Sequence, residues 1–263
     1  MTERRIRILI AEDSTTVRLF VERALATTGR PIDVVAVGDG EEAVKLLMRS
    51  RFDIAFLDIN MPQFSGVHVL AAIRDQNHDT FCVSMSDRLD EATEQKLKAF
   101  GAYDFLKKPF TQTRIQQIVE MWELIRTRFD VLVVDDSATV RRIVAKVISR
   151  SIFDLAITEA GDGEAAIRAI EEKPFRLIFS DFNMPGMNGV ELAGHIGRIA
   201  RASDVILMST EYSTAIDEAA RKVGACAFLR KPFYPEDVDS ILHHVFGLPH
   251  PLFSKQVRLF AMT

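Results

Sequence analysis

The chain has 263 residues, of which 48% are hydrophobic and 27% charged, which excludes a disordered or fibrous protein and, by length, favours two domains. Its 33 basic and 37 acidic side chains leave a net charge of −4, which argues against holding nucleic acid on a broad basic surface. Apolar runs such as Val131 to Val134 are strand-sized against the ~20 residues of a membrane helix, Glu12 and Asp13 interrupt any signal-peptide core, and Cys82 and Cys226 are too few for a disulfide scaffold, so the expected compartment is the cytoplasm.

In chain order, residues 6–10 read as a buried strand, followed by a helix with Val17, Phe20, Val21, Ala24 and Leu25 on one face. Ser14 is placed to cap that helix and Gly29 to end it. Residues 32–37 form the next strand, and Ala43, Val44, Leu47 and Met48 line the next helix. Strands at 54–57, 81–85 and 105–106 alternate with helices near 66–75, 90–100 and 111–126. The series then starts again near Phe129, leaving residues 126–128 as a connector too short for a flexible string of beads. Five strands alternating with five helices imply an α/β fold, a parallel sheet with helices on both faces.

The second series repeats the first at a constant offset of 123 residues. That offset carries Asp13 to Asp136, Asp39 to Asp162, Asp58 to Asp181, Asn60 to Asn183, Gly66 to Gly189, Ser86 to Ser209 and Lys108 to Lys231. One domain of about 120 residues is therefore written twice: 1–126 and 127–247, with a tail at 248–263. In an open α/β sheet, ligands bind beyond the carboxyl ends of the strands. Glu12 and Asp13 end the first strand, Asp58 the third and Ser86 the fourth, while Lys108 follows the fifth, so these side chains converge on one edge. Asp135, Asp136, Asp181, Ser209 and Lys231 do the same in the second copy. Three clustered carboxylates call for a compensating cation, and an oxygen-liganded divalent ion such as Mg²⁺ suits them. A carboxylate nucleophile, a metal and a lysine point charge make a phosphoryl-transfer arrangement.

On the acidic pair, the strand-three Asp followed by Asn-Met-Pro, the strand-four Ser and the Lys-Pro-Phe run, each half resembles the receiver domains of two-component response regulators, over about residues 4–247. The resemblance implies two flavodoxin-like (βα)5 domains of strand order 2-1-3-4-5. It implies that Asp58 and Asp181 accept a phosphoryl group from a phosphohistidine on a sensor histidine kinase or a histidine phosphotransfer protein. It also implies one Mg²⁺ per domain, for which Mn²⁺ or Ca²⁺ can substitute. Asp13 and Asp136 would bind it directly with the acceptor and the carbonyl of Asn60 or Asn183, while Glu12 and Asp135 hold its waters. Lys108 and Lys231 would pair with the phosphoryl group, the Lys-Pro bonds would be cis, and Ser86 and Ser209 would swing toward the phosphate. Phe105 and Phe228 occupy the aromatic switch position, although phenylalanine in a short strand also serves simply as core.

The copies differ at Glu12 against Asp135, where the longer side chain shifts the metal's surroundings, and at Asp87 against Thr210, where the extra charge repels an incoming phosphoryl donor. The second copy is accordingly expected to be the more reactive. The histidines and cysteines do not repeat at the offset and are expected to be structural. The 17 residues after 246 are too few for an output domain, so output is expected through protein contact, to an unidentified target. The face of the fourth helix, fifth strand and fifth helix is the expected surface for it, for homodimerisation or for contact between the halves. Leu252, Phe253, Val257, Leu259 and Phe260 give the tail enough apolar surface to dock. No nucleic acid or membrane partner is expected. Two alternatives stay open. One is the receiver portion of a longer regulator, such as a cyclic-di-nucleotide synthase. The other is an aspartyl-phosphate phosphatase of haloacid-dehalogenase type, disfavoured because Asn60 and Asn183 stand where its acid would be. The expectation is a phosphoacceptor and not an enzyme, with slow self-dephosphorylation at most.

Overall fold

A computed structural model describes residues 4–211 and 213–253. They fall into two compact units, one of residues 4–123 together with 251–253, the other of Leu124–His250. The first unit alternates β1 (Ile6–Ala11), α1 (Thr15–Ala26), β2 (Ile32–Val37), α2 (Gly40–Leu47), β3 (Ile54–Asp58), α3 (Gly66–Asp75), β4 (Phe81–Ser86), α4 (Glu91–Ala99), β5 (Asp104–Lys107) and α5 (Gln112–Arg126). The last turn of α5, from Leu124, counts with the second unit. The second series is β6 (Phe129–Val134), α6 (Ala138–Ile148), β7 (Leu155–Ala160), α7 (Gly163–Glu172), β8 (Leu177–Asp181), α8 (Gly189–Ile199), β9 (Asp204–Ser209), α9 (Thr214–Lys222), β10 (Ala227–Arg230) and α10 (Pro235–Val245).

Both sheets are parallel throughout, in the orders β2-β1-β3-β4-β5 and β7-β6-β8-β9-β10, which is the flavodoxin-like order that the resemblance implies. The central strands are apolar at nearly every position because helices cover both of their faces, and Phe56 and Phe179 are fully buried. The edge strands β2 and β7 are only partly covered and carry Asp33, Thr158 and Glu159. Each first helix starts where Ser14 or Ser137 accepts an N–H bond from the residue three further on. Asp39 and Asp162, which the offset singles out, cap α2 and α7 in the same way, at 2.8 and 2.7 Å. Among the described residues no helix is long and apolar enough to cross a membrane.

The six histidines and two cysteines do not repeat between the halves. His68 closes the start of α3 by accepting the Ser65 N–H at 3.2 Å, as Glu191 does for Asn188 at the start of α8. Burial pushes the thiols of Cys82 and Cys226 up to about 12, so neither supplies a thiolate near neutrality.

Candidate phosphoryl-acceptor site

The parallel strands deliver their polar ends to one edge of each sheet. In the first unit Glu12 follows β1 and is fully buried, Asp58 ends β3 and is buried, and Asp13 is exposed. Lys108, after β5, reaches back so that its Nζ lies 2.6 Å from Glu12 Oε2 and 3.2 Å from Asp58 Oδ2. Burial raises the Glu12 pKa, and the neighbouring Asp58 charge adds to that effect, while Lys108 opposes it. Burial also works against the Lys108 ammonium, but Glu12 and Asp58 outweigh it and hold the lysine above its ordinary pKa. The lysine is therefore the internal counter-ion of the acid cluster.

In the second unit Lys231 Nζ sits 2.6 Å from both Asp135 Oδ2 and Asp181 Oδ1. Burial raises the Asp181 pKa against the pull of Lys231. The two lysines thus sit differently. The longer Glu12 side chain holds the ammonium nearer itself than Asp58, whereas the shorter Asp135 leaves Lys231 equally close to both carboxylates.

That difference carries into the metal question. Glu12, Asp13 and Asp58 each place an oxygen within 4.8 Å of the other two, and among the described residues no other three-carboxylate group converges in this way. An all-oxygen donor set with one buried and burdened carboxylate fits a hard divalent cation. In the second unit Asp135, Asp136 and Asp181, expected to converge in the same way, do not bring three oxygens this close: Asp136 is exposed and Lys231 is seated between the other two carboxylates.

The remaining predicted residues sit around the acids. Ser86 Oγ accepts from Asn60 Nδ2 at 2.9 Å and from the Arg88 N–H at 3.4 Å, and Ser209 Oγ accepts the Glu211 N–H at 3.1 Å. Both hydroxyls keep their own proton available to an incoming acceptor. The Asn60 N–H donates to Asp58 Oδ1 at 3.2 Å, which fixes the carboxylate plane. Phe105 and Phe228 are both buried among core residues. The Lys108–Pro109 and Lys231–Pro232 bonds are cis, as the resemblance implies.

Arg18 and Arg141 escaped the sequence reading although they repeat at the offset of 123, and Gly66 and Gly189 were seen there only as a repeat, without a role. Arg18 Nη1 donates to the carbonyls of Glu12 and Asp13, at 2.5 and 2.9 Å, and Arg141 Nη1 to that of Asp135 at 2.6 Å. These arginines clamp the backbone of the acid pair from the first helix. Gly66 and Gly189 lie so close to the acceptor strands that an added Cβ would stand 2.4 Å from the Asp58 carbonyl oxygen and 2.2 Å from that of Asp181.

Known proteins are similar to this chain. The family described as the response regulator receiver domain matches residues 8–120 and again 131–243. A Rhizobium etli protein described as "Probable chemotaxis protein CheY" is 33% identical over 125 residues, which cover 47% of this chain and 96% of that protein. The Arabidopsis thaliana protein "Two-component response regulator ARR14" is 34% identical over 115 residues, 44% of this chain but only 30% of that protein. A solved structure of a "probable two-component system response regulator/GGDEF domain protein" superposes with a TM-score of 0.62 at 26% identity, covering 92% of this chain and 99% of the other.

Proposed function

Because this chain belongs to the response regulator receiver family through both of its halves, we propose that Asp58 and Asp181 are phosphoryl acceptors whose modification switches protein contacts. The observation that carries this reading is the repeated lysine-bridged carboxylate cluster, with Lys108 and Lys231 each spanning the acceptor and the acid after the first strand. An acceptor carboxylate oxygen attacks the phosphorus of a phosphohistidine on a histidine kinase or phosphotransfer protein. A P–O bond forms, the P–N bond breaks, and the imidazole leaves with the electron pair. Asp13, Asp58 and the Asn60 carbonyl would hold a divalent ion such as Mg²⁺ directly and Glu12 through water, and the ion would supply positive charge to the transferring oxygens. Asp136, Asp181, Asn183 and Asp135 would take those roles in the second half.

The lysine completes the site. Phosphorylation takes the acceptor from one negative charge toward two, so the ammonium transfers its contact to the phosphoryl oxygens. Ser86 and Ser209 donate their hydroxyl protons to the same group, and Phe105 and Phe228 repack beside them. Asn60 and Asn183 cannot donate a catalytic proton, so the acyl phosphate persists as a signal and is not turned over as an enzyme intermediate. We place this exchange in the cytoplasm, where histidine kinases present their phosphohistidine.

Mass spectrometry after treatment with acetyl phosphate and Mg²⁺ tests the reading. The double variant Asp58→Asn, Asp181→Asn takes up no hydroxylamine-labile phosphate, and wild-type uptake by that variant would refute the acceptor assignment. The halves differ as well. The Asp181 side chain is 14% exposed against 4% for Asp58, and Asp87 lies exposed beside Ser86 only in the first half. A screened repulsion of ~1 kcal/mol slows a reaction about fivefold. Asp181→Asn therefore labels about fivefold more slowly than Asp58→Asn; equal rates would remove the asymmetry and leave the acceptor assignment standing.

A further inference from the structure

At the end of the first sheet opposite the acceptor edge, the start of β1, the turn before β2 and the last turns of α5 enclose a cavity of about 230 Å³. Arg4, Arg5 and Ile6 line it on the β1 side, Arg30 and Pro31 from the turn, and Trp122 and Glu123 from α5. Three guanidinium groups against one carboxylate leave the lining positive. Arg4 pairs with Asp53 at 2.7 Å and Arg30 with Glu123 at 2.9 Å, while the exposed Arg5 has no partner among the described residues. Exposed ion pairs of this kind are weak, so an anion of higher charge takes Arg30 over at little cost.

The second half treats the same place differently. The offset of 123 carries Ile6 to Phe129, Arg30 to Phe153 and Glu123 to Phe246. The backbone frame is alike, since the Ile6 N–H donates to the Pro31 carbonyl and the Phe129 N–H to that of Asp154, both at 2.9 Å. There the phenylalanine rings pack on one another, with the Phe246 ring centre 4.8 Å from that of Phe129 and 5.7 Å from that of Phe153. Aromatic rings thus occupy in the second half what arginines and an indole surround in the first. Trp122 adds a second sign of an unmet partner: its indole N–H is buried and finds no acceptor among the described residues. The described tail docks elsewhere, with the Leu252 N–H on Asp104 Oδ1 at 2.9 Å and Phe253 against the core of the first unit, while Val257, Leu259 and Phe260 lie outside the described residues.

We propose that this cavity binds a mononucleotide, with its phosphate on Arg5 and Arg30 and its base beside Trp122. Guanidinium forks take phosphate oxygens in pairs, which suits a dianion better than a single carboxylate. Trp122, Pro31 and Ile6 offer the apolar wall on which a flat base stacks, and a ring nitrogen or carbonyl of the base accepts the indole N–H. A cavity smaller than the roughly 300 Å³ of drug-sized pockets admits one nucleotide and not two joined together. The acceptor aspartates and their lysines take no part, because they lie at the carboxyl ends of the strands and this cavity at the amino ends. The second half, with Phe129, Phe153 and Phe246, lacks the site.

Trp122 is the only tryptophan of the chain, so its fluorescence reports on this cavity. Adenosine and guanosine 5′-monophosphate are each titrated into the full chain without phosphodonor or divalent ion, and equilibrium dialysis of the same samples measures the bound ligand. At least one of them changes the emission saturably, with a midpoint below about 1 mM. Inorganic phosphate and the matching nucleoside each bind at least about tenfold more weakly, since each makes only half of the contacts. Arg5→Ala and Arg30→Ala each weaken nucleotide binding at least about tenfold by removing a charged hydrogen bond. Both arginines are half or more exposed, and an unchanged urea midpoint shows that the variants fold. Absence of saturable binding in dialysis would overturn the proposal. So would phosphate or nucleoside binding as tight as that of the nucleotide, or nucleotide binding that both arginine variants leave unchanged.

Discussion

Gly189→Ala destabilises the second half by about 3 kcal/mol or more and lowers phosphoryl uptake at Asp181 at least tenfold. Gly189 is the first residue of α8, and a Cβ there would lie 2.2 Å from the Asp181 carbonyl oxygen and 3.0 Å from the Phe182 Cα. Both obstacles are backbone, so no side-chain rotation relieves them. Forced overpacking typically costs about 1–3 kcal/mol, and a clash this short with main chain lies at or beyond the upper end. The group that must move is Asp181, the proposed acceptor, and displacement by about 1 Å is enough to slow a positioned reaction by about a hundredfold. Gly66→Ala has the same effect in the first half, where the Cβ would meet the Asp58 oxygen at 2.4 Å. Gly197, in the same helix α8, is the control: nothing lies within 4 Å of its added Cβ. Gly197→Ala should be neutral or stabilise by up to about 1 kcal/mol, because alanine has the higher helix propensity. Urea unfolding together with acetyl-phosphate labelling checks both readouts. A Gly189→Ala protein within about 0.5 kcal/mol of wild type and labelled at the wild-type rate would refute the close-approach argument.

Removing the carboxylate of Asp239 makes the second half lose about 3 kcal/mol more than wild type does between pH 7 and pH 4. Asp239, on α10, bonds the loop after α6 through the Ser151 hydroxyl at 2.5 Å and the Ile152 N–H at 3.1 Å. Burial raises its pKa from 3.8 to about 6. One turn on, the His243 Nδ1 proton goes to the Asp239 carbonyl at 2.6 Å, and burial lowers the ring from 6.5 to about 4. The signs oppose. A carboxyl that holds its proton more tightly when folded contributes stability as pH falls from about 6 toward 3.8. A histidine that resists protonation when folded contributes above 6.5 and loses that contribution as pH falls toward 4. Each shift spans about two units or slightly more, near 3 kcal/mol at 1.36 kcal/mol per unit. The two therefore nearly cancel in wild type across this window. In Asp239→Asn the amide oxygen can still accept from Ser151 and Ile152, but only the histidine slope remains. Urea midpoints of both proteins at pH 7, 6, 5 and 4 give the difference directly. A difference between them that stays constant with pH would refute the opposed titration.

The amino-acid sequence by itself determined the α/β class, the duplication at 123 residues and the gathering of carboxylates and a lysine at one sheet edge in each half. It could do so because apolar periodicity marks buried faces, and because parallel strands deliver their last residues to one edge. Arg18 with Arg141, and Gly66 with Gly189, were also within reach, since the same offset marks them. What it lacked for them was distance: a clamp on a carbonyl and a Cβ-sized gap exist only once a helix is laid against a strand. The tertiary structure alone decided the rest. The difference between Glu12 and Asp135 is visible in sequence, but only the fold shows that the lysine sits nearer Glu12 in one half and equally close to Asp135 and Asp181 in the other. Asp104 with Leu252 and Asp239 with Ser151 join residues far apart in the chain and do not repeat between the halves. Local periodicity and internal repetition carry no information about such pairs, because each depends on a single long-range approach that only the folded backbone creates.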